Sequence, residues 1–124
     1  MQIRRSPDCR NSPKNLFIEE LAIALATQDI KGVSSSISDQ VRWKVVGRSI
    51  ARGRQEVITA LPRIFPSGAS ALQIGRVVPH GRAGAVNGTI ELNNGEVTEF
   101  CHVFGFTNAK GTSVGQVTSY IIGS

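Results

Sequence analysis

The hydrophobic period of this sequence changes from helical in its first half to alternating in its second half. Up to Phe65, apolar residues recur mainly at intervals of three and four. From Ala71 onward they tend to alternate with polar residues, and turn residues come at short intervals. Helices grouped before strands are typical of an α+β domain, in which the helices cover one face of an antiparallel sheet. With 124 residues, the chain is the size of one such domain.

An amphipathic helix is predicted to begin near Pro13. Ser12 is a suitable N-cap, and proline is tolerated in the first turn of a helix. The apolar positions that should face the core are Leu16, Phe17, Leu21, Ala24 and Leu25. Residues 1–11 are polar and are predicted to be a flexible leader to a single domain of residues 12–124.

Two more helices and one strand are predicted before the main sheet. Residues 30–36 form a short second helix, and residues 40–46 form a strand centred on Trp43. Residues 54–65 show helical spacing again, with Pro62 expected to kink or end the helix. Four strands then follow, over residues 71–79, 83–92, 97–106 and 113–122.

The order of these segments resembles the nuclear transport factor 2-like superfamily, in its SnoaL-like bacterial branch. The residues that carry the resemblance are, in chain order, LFIEELAIALATQDIKG, DQVRWKVVG, ARGRQEVITAL, HGRAGAVNGTIEL and EFCHVFGFTNAKGTSVGQVTSYII. The resemblance implies a cone in which helices pack on a strongly curved antiparallel sheet and leave a cavity. It also implies a homodimer through the outer sheet face. Because the superfamily includes isomerases, dehydratases, cyclases, epoxide hydrolases and proteins that only bind, the fold alone does not select a function.

One predicted strand, residues 97–106, places its bulky aromatic residues on one face. Alternation puts Thr98, Phe100, His102, Phe104 and Phe106 together, a set large enough to line a cavity. His102 is the titratable side chain of this set, and an imidazole in such a place can donate or accept a proton. The alternative is that His102 only hydrogen-bonds a neighbouring strand inside the core.

The resemblance places His102 where ketosteroid isomerases carry an aspartic acid. The proton-abstracting aspartate of those enzymes falls at Trp43, and their tyrosine donor falls at Leu21. Neither side chain can take over that chemistry, so steroid isomerase activity is not expected.

The sequence leaves three hypotheses for function. The first is a non-catalytic or weakly catalytic protein that binds a small apolar or aromatic molecule in an apolar pocket. The predicted pocket is lined by Phe17, Leu21, Trp43, Asn87, Phe100, His102 and Phe104. The second is a cofactor-free lyase, isomerase or cyclase that uses His102 as acid or base, with Asn87 or Trp43 as a hydrogen-bond donor. The third is a dimeric interaction module without a ligand.

Several classes of partner are not expected. The sequence has no nucleotide or phosphate-loop motif and no converging metal ligands, so no cofactor and no metal are predicted. The net charge of +5 includes +3 from residues 1–14, which leaves +2 for residues 15–124 and gives little reason to expect nucleic-acid binding. No apolar run is long enough to cross a membrane, and no secretory signal precedes the first helix, so the cytoplasm is the expected location.

Overall fold

Three helices lie against a strongly curved sheet of seven strands in the computed structural model, which describes residues 1–7 and 12–123. In chain order the elements are β1 (Gln2–Arg4), α1 (Pro13–Thr27), α2 (Ile30–Ser36), β2 (Ile37–Val45), β3 (Ser49–Arg52), α3 (Arg54–Ile64), β4 (Ala69–His80), β5 (Ala83–Leu92), β6 (Val97–Phe106) and β7 (Val114–Gly123). The predicted α+β class is confirmed. Among the helices described, none is both long and apolar enough to cross a membrane.

The sheet is mixed, with the strand order β1-β4-β5-β6-β7-β2-β3. The neighbours from β4 to β7 are antiparallel, but β1 runs parallel to β4, and β2 runs parallel to β7. The prediction of a purely antiparallel sheet is therefore wrong for two pairings. Alternation within a strand reports which face is buried but not the direction of its neighbour, and β2 and β7 are far apart in sequence.

Helix α1 begins as its sequence predicts and ends in a left-handed residue. The Ser12 hydroxyl accepts a hydrogen bond from the backbone N–H of Asn15, which satisfies one of the free donors of the first turn. The helix stops at Gln28, whose φ of 58° is the left-handed conformation typical of a helix end. Leu21 and Leu25 are buried as predicted, but Leu16 is 44% exposed, and Ile18 occupies the core instead.

Helix α3 extends two residues beyond Pro62. The side-chain amide of Gln28 donates to the carbonyl oxygens of Leu61, Pro62 and Phe65, at 3.4, 3.4 and 3.1 Å. These bonds serve carbonyl groups that have no partner inside the helix. The end of α1 therefore fixes the end of α3.

The first residues of the chain belong to the fold. Gln2–Arg4 pair with residues 71–73 of β4, and Ser6 is buried. The prediction of a leader outside the domain is corrected for this part, because it rested on polarity, and an edge strand needs only backbone hydrogen bonds. The other part of the predicted leader, residues 8–11, lies outside the described residues.

A buried carboxylate on α1 holds this N-terminal segment. Glu19 is 1% exposed, and its carboxylate accepts from the backbone N–H of Ser6 at 2.8 Å and from the guanidinium of Arg5 at 3.2 Å. Arg5 also pairs with the exposed Glu20 at 2.8 Å. A buried carboxylate is tolerable because it is paired and hydrogen-bonded.

Replacing Glu19 by alanine should destabilise the fold by about 1–3 kcal/mol, because the Ser6 N–H then lacks its buried acceptor. Glu20→Ala is the matched control: it removes the exposed partner of the same arginine and should cost less than about 1 kcal/mol. Urea denaturation of both variants measures the difference. Equal effects would contradict the anchoring role of Glu19.

Candidate functional site

The inner face of β6 carries the predicted aromatic set. Thr98, Phe100, His102, Phe104 and Phe106 are all buried, and their neighbours in sequence point outward or are only partly covered. The predicted parity of this strand is confirmed. The inner face turns toward the helices, so these side chains belong to the core of the domain.

A buried serine joins His102 to Trp43. Ser119 of β7 lies directly opposite His102 in the sheet and opposite Val45 of β2. The indole N–H of Trp43 donates to the Ser119 hydroxyl at 2.8 Å, and the His102 Nδ1 lies 2.7 Å from the same oxygen. All three side chains are at most 3% exposed. This Trp43–Ser119–His102 network connects three neighbouring strands through one hydroxyl group.

The donors and acceptors of this network indicate the tautomer of His102. An indole N–H can only donate, so the Ser119 oxygen acts as its acceptor. The Ser119 hydroxyl hydrogen then has the His102 Nδ1 as its acceptor within the network. With the Ser119 hydrogen donated in this way, we expect Nδ1 to be the unprotonated nitrogen and Nε2 to carry the ring hydrogen.

Burial keeps the His102 imidazole neutral. Its pKa is lowered from 6.5 to about 4, because the charged form would lose its hydration. The rings of Phe100 and Phe104 lie on either side of it, with centroids at 5.0 and 5.9 Å. A group with so low a pKa is a weak base near neutral pH, and its Nδ1 already has a partner.

The structure places the predicted pocket residues in different surroundings. Leu21 and Phe104 are buried at 1% and 0% exposure as parts of the packed core. Phe17 is partly buried and packs on Phe106, with ring centroids 5.9 Å apart. Phe106 ends β6, so this contact lies at the opposite end of the strand from Thr98.

Asn87 lies on the outer face of the sheet, contrary to the prediction that it faces His102. In the β5–β6 ladder, His102 is opposite Val86, whereas Asn87 is opposite Cys101 on the other face. The Asn87 side chain is exposed and accepts from the backbone N–H of Arg76 at 2.6 Å. A difference of one residue in the assumed register reverses the face of every side chain on a strand, which explains the error.

A cleft of about 390 Å³ lies where β6 begins and β7 ends, and we call it the Thr98 cleft. Its lining residues are Arg48, Arg63, Ile64, Phe65, Pro66, Ser67, Leu92, Asn94, Glu96, Thr98, Ile121 and Gly123. Of the predicted pocket residues, none is in this set. No local pattern indicates the cleft, because its walls come from four separate stretches of the chain, at residues 48, 63–67, 92–98 and 121–123.

A second cleft, of about 430 Å³, lies on the outer sheet face. It is lined by Gln73, Gly75, Asn87, Gly88, Thr89, Glu99, Phe100, Cys101, Tyr120 and Ile122. Burial raises the pKa of the Cys101 thiol, so the reactive thiolate is disfavoured there. Within residues 1–7 and 12–123, no three histidine, cysteine or carboxylate side chains come together as metal ligands would.

Comparisons with known proteins find similarity in structure. No family model matches the sequence, and no curated protein matches it. A nuclear transport factor 2-like protein of unknown function from Cytophaga hutchinsonii superimposes with a TM-score of 0.70 at 20% identity, covering 88% of this chain and 99% of that one. An LEH-like epoxide hydrolase of M. tuberculosis gives a TM-score of 0.68 at 21% identity, with 87% and 81% coverage. A SnoaL-like candidate polyketide cyclase from Shewanella putrefaciens gives 0.72 at 10% identity, with 90% coverage of each chain. These likenesses show the fold.

The low pKa of His102 predicts a specific loss of stability in acid. Its pKa is about 4 in the folded state and 6.5 ordinarily, so between these values the unfolded chain binds the proton and the folded chain does not. The imidazole's contribution is therefore complete above pH 6.5 and is lost as the pH falls toward 4. The gap corresponds to about 3 kcal/mol.

Denaturation of the wild type and of His102→Gln from pH 7.5 to pH 4 measures this contribution. The wild type should lose about 3 kcal/mol more than the variant, because glutamine does not titrate. His80→Gln, at an exposed histidine, is the matched control for the loss of an imidazole. Parallel curves for the wild type and His102→Gln would show that His102 is not buried as a neutral group.

Proposed function

We propose that this chain, which has the nuclear transport factor 2-like fold, binds a small molecule in the Thr98 cleft. The cleft volume of about 390 Å³ falls within the range of about 300–1,000 Å³ that small-molecule sites occupy. It combines apolar walls with a few polar groups, as ligand sites commonly do.

The observation that carries this proposal is the hydroxyl group of Thr98. Thr98 is only 5% exposed and faces the cleft. Across the described part of the chain its hydroxyl has no hydrogen-bond partner, and it is in contact with the open space of the cleft. A ligand with a matching polar group supplies that partner.

The walls of the cleft supply apolar surface for the body of a ligand. Ile64 and Phe65, at the end of α3, are 8% and 4% exposed, so both are held in place by the core. Leu92 and Ile121 are partly buried and pack against the same core. Removing this apolar surface from water favours ligands with an aromatic or branched aliphatic body.

Acid–base catalysis by His102 has less support from the geometry. The imidazole is enclosed by Phe100, Phe104 and Ser119, and it is not among the residues of the Thr98 cleft. Phe100 lies between Thr98 and His102 on the same face of β6 and separates the cleft from the imidazole. The enzymes among the structural neighbours show that this fold supports catalysis, but the site that would carry it must be present in the chain itself.

Thr98→Val tests the proposal, since valine has nearly the shape of threonine but lacks the hydroxyl. Compounds of a fragment library that bind the wild type should shift the backbone amide NMR signals of Thr98, Leu92 and Ile121. Thr98→Val should weaken the binding of the polar compounds in this set by about 1 kcal/mol, or roughly fivefold. The stability of the protein should not fall. Thr118→Val, on the outer face, is the matched control and should leave their affinity unchanged.

Shifts centred on the outer-face cleft, with Thr98 undisturbed, would contradict the proposal. Unchanged affinity in Thr98→Val would remove the role of the hydroxyl group.

A homodimer through the outer sheet face is a second proposal, supported by exposed apolar residues there. Val103, Tyr120 and Ile122 are 40%, 46% and 70% exposed and lie on neighbouring strands β6 and β7. Large exposed apolar side chains grouped on one face are typical of an interface.

Opposite charges lie on either side of this apolar group. Arg42 and Arg52 are directly opposite each other on β2 and β3, an arrangement that repels unless a partner compensates it. Glu91 and Glu99 lie on β5 and β6, toward the other end of the same face. A two-fold axis through the apolar group allows the arginines of one protomer to face the glutamates of its partner.

Analytical ultracentrifugation at micromolar concentration tests the dimer. The wild type should sediment as a dimer, and Ile122→Glu should sediment as a folded monomer, because a buried unpaired charge opposes association. Ile30→Glu, at an isoleucine of α2 that is 51% exposed, should remain dimeric. A monomeric wild type would remove the proposal.

A further inference from the structure

We infer that the ligand of the Thr98 cleft carries a single negative charge, a carboxylate held between Arg48 and Arg63. This inference rests on the proposed function and adds the chemical class of the ligand. Both arginines line the cleft, and they approach it from different elements: Arg48 from the turn between β2 and β3, and Arg63 from the last turn of α3.

Most of the hydrogen-bonding capacity of Arg48 is unused. One of its terminal nitrogens donates to the carbonyl oxygen of Ile64 at 3.5 Å, at the limit of a hydrogen bond. A guanidinium group has five N–H donors, so one weak bond leaves a planar edge that matches a carboxylate. The same bond holds Arg48 beside the end of α3, where Arg63 lies.

Arg63 forms no ion pair with any residue in the ranges 1–7 and 12–123. Two other arginines of the domain, Arg5 and Arg54, are each paired with a carboxylate. Neither Arg48 nor Arg63 has such a carboxylate partner in the part of the chain that the structure describes, and both line the Thr98 cleft. Two positive charges beside an apolar wall attract an anionic group.

The charges around the cleft favour one negative charge on the ligand. Glu96 is the acidic residue of the lining, and its carboxylate accepts from the side-chain amide of Asn94 at 3.3 Å. Two arginines and one glutamate leave a formal charge of +1, which a carboxylate neutralises. A doubly charged phosphate ester would exceed it and would be repelled by Glu96.

The same two arginines border a third cleft, of about 350 Å³, which lies between β3 and α3. That cleft is lined by Ser49, Glu56 and Thr59 among others, all exposed at the surface. The Thr98 cleft is the better site for a ligand with an apolar body, because Phe65, Leu92 and Ile121 line it and do not line the third cleft. The ligand body is therefore placed on the Phe65 side of the arginine pair.

A purely structural role for these arginines makes a different prediction. Positive side chains near the C-terminus of a helix interact favourably with its dipole, typically to a small extent at exposed positions. In that role, Arg48 and Arg63 would affect stability but would not distinguish a charged ligand from a neutral one. Ligand selectivity therefore separates the two roles.

The experiment compares matched ligand pairs on the full chain. A panel of aryl-alkyl carboxylic acids, such as 3-phenylpropionate, is titrated beside the corresponding primary amides and phenyl phosphate, with backbone amide NMR as the readout. The acids should bind about tenfold more tightly than their amides, with shifts at Thr98 and Ile121. In Arg63→Gln, and in Arg48→Gln where it remains folded, this preference should fall to about threefold or less. Arg82→Gln, an exposed arginine of the β4–β5 turn, should keep it.

The outcomes separate this inference from the proposed function. If amides bind in the Thr98 cleft as tightly as acids, or if phenyl phosphate binds best, the carboxylate inference is wrong and the binding site stands. If Arg63→Gln keeps the full preference for acids, the arginine pair is not the recognition element. If neither the acids, the amides nor any compound of the fragment library shifts a signal of the cleft, both the proposed binding site and the carboxylate inference are wrong.

Discussion

The hydroxyl group of Ser119 is the constraint on which the interior of this domain depends. It joins Trp43 of β2 to His102 of β6 from its own position on β7, so three neighbouring strands share one buried oxygen. Without it, an indole N–H and an imidazole nitrogen would both be buried and unpaired, at about 1–3 kcal/mol for each group. The same contact fixes how β2, the parallel neighbour, lies against β7. These two hydrogen bonds favour one arrangement of the three strands.

This network also explains why the most suggestive residue of the sequence is poorly suited to chemistry. His102 has the position and the neighbours that a catalytic imidazole would have, but burial lowers its pKa to about 4 and Ser119 occupies its Nδ1. The polar groups that remain open to a ligand lie farther along the same strand face, at Thr98, and on the arginines beside the end of α3. Phe100 stands between the two regions. The domain therefore divides into a closed interior, which stabilises the fold, and an open end, which has the features of a binding site.

The parts of the structure that depend on local pattern could be predicted from the sequence. The bounds of α2, β5 and β6 agree with the predicted ranges, the parity of β6 is confirmed, and the resemblance to the nuclear transport factor 2-like superfamily is confirmed at the level of the fold. The parts that depend on pairing could not be predicted. Alternation does not encode register or strand direction. It therefore does not indicate the parallel contact of β2 with β7, the strand at Gln2–Arg4 or the outward position of Asn87. Ser119 was missed because a small polar residue inside an alternating strand gives no sign of burial until its partners are known.

The nitrogen chemical shifts of the His102 imidazole test this account most directly. Heteronuclear NMR of a histidine-labelled sample reports the protonation state of each ring nitrogen, and a titration from pH 7.5 to pH 3.5 gives the pKa. We expect a neutral ring at pH 7 with hydrogen on Nε2, an unprotonated Nδ1 that accepts from Ser119, and a pKa of about 4. In Ser119→Ala, the Nδ1 signal should change because its hydrogen-bond donor is gone. A ring that titrates near 6.5, or one with hydrogen on Nδ1, would contradict the account and return His102 to consideration as an acid or base.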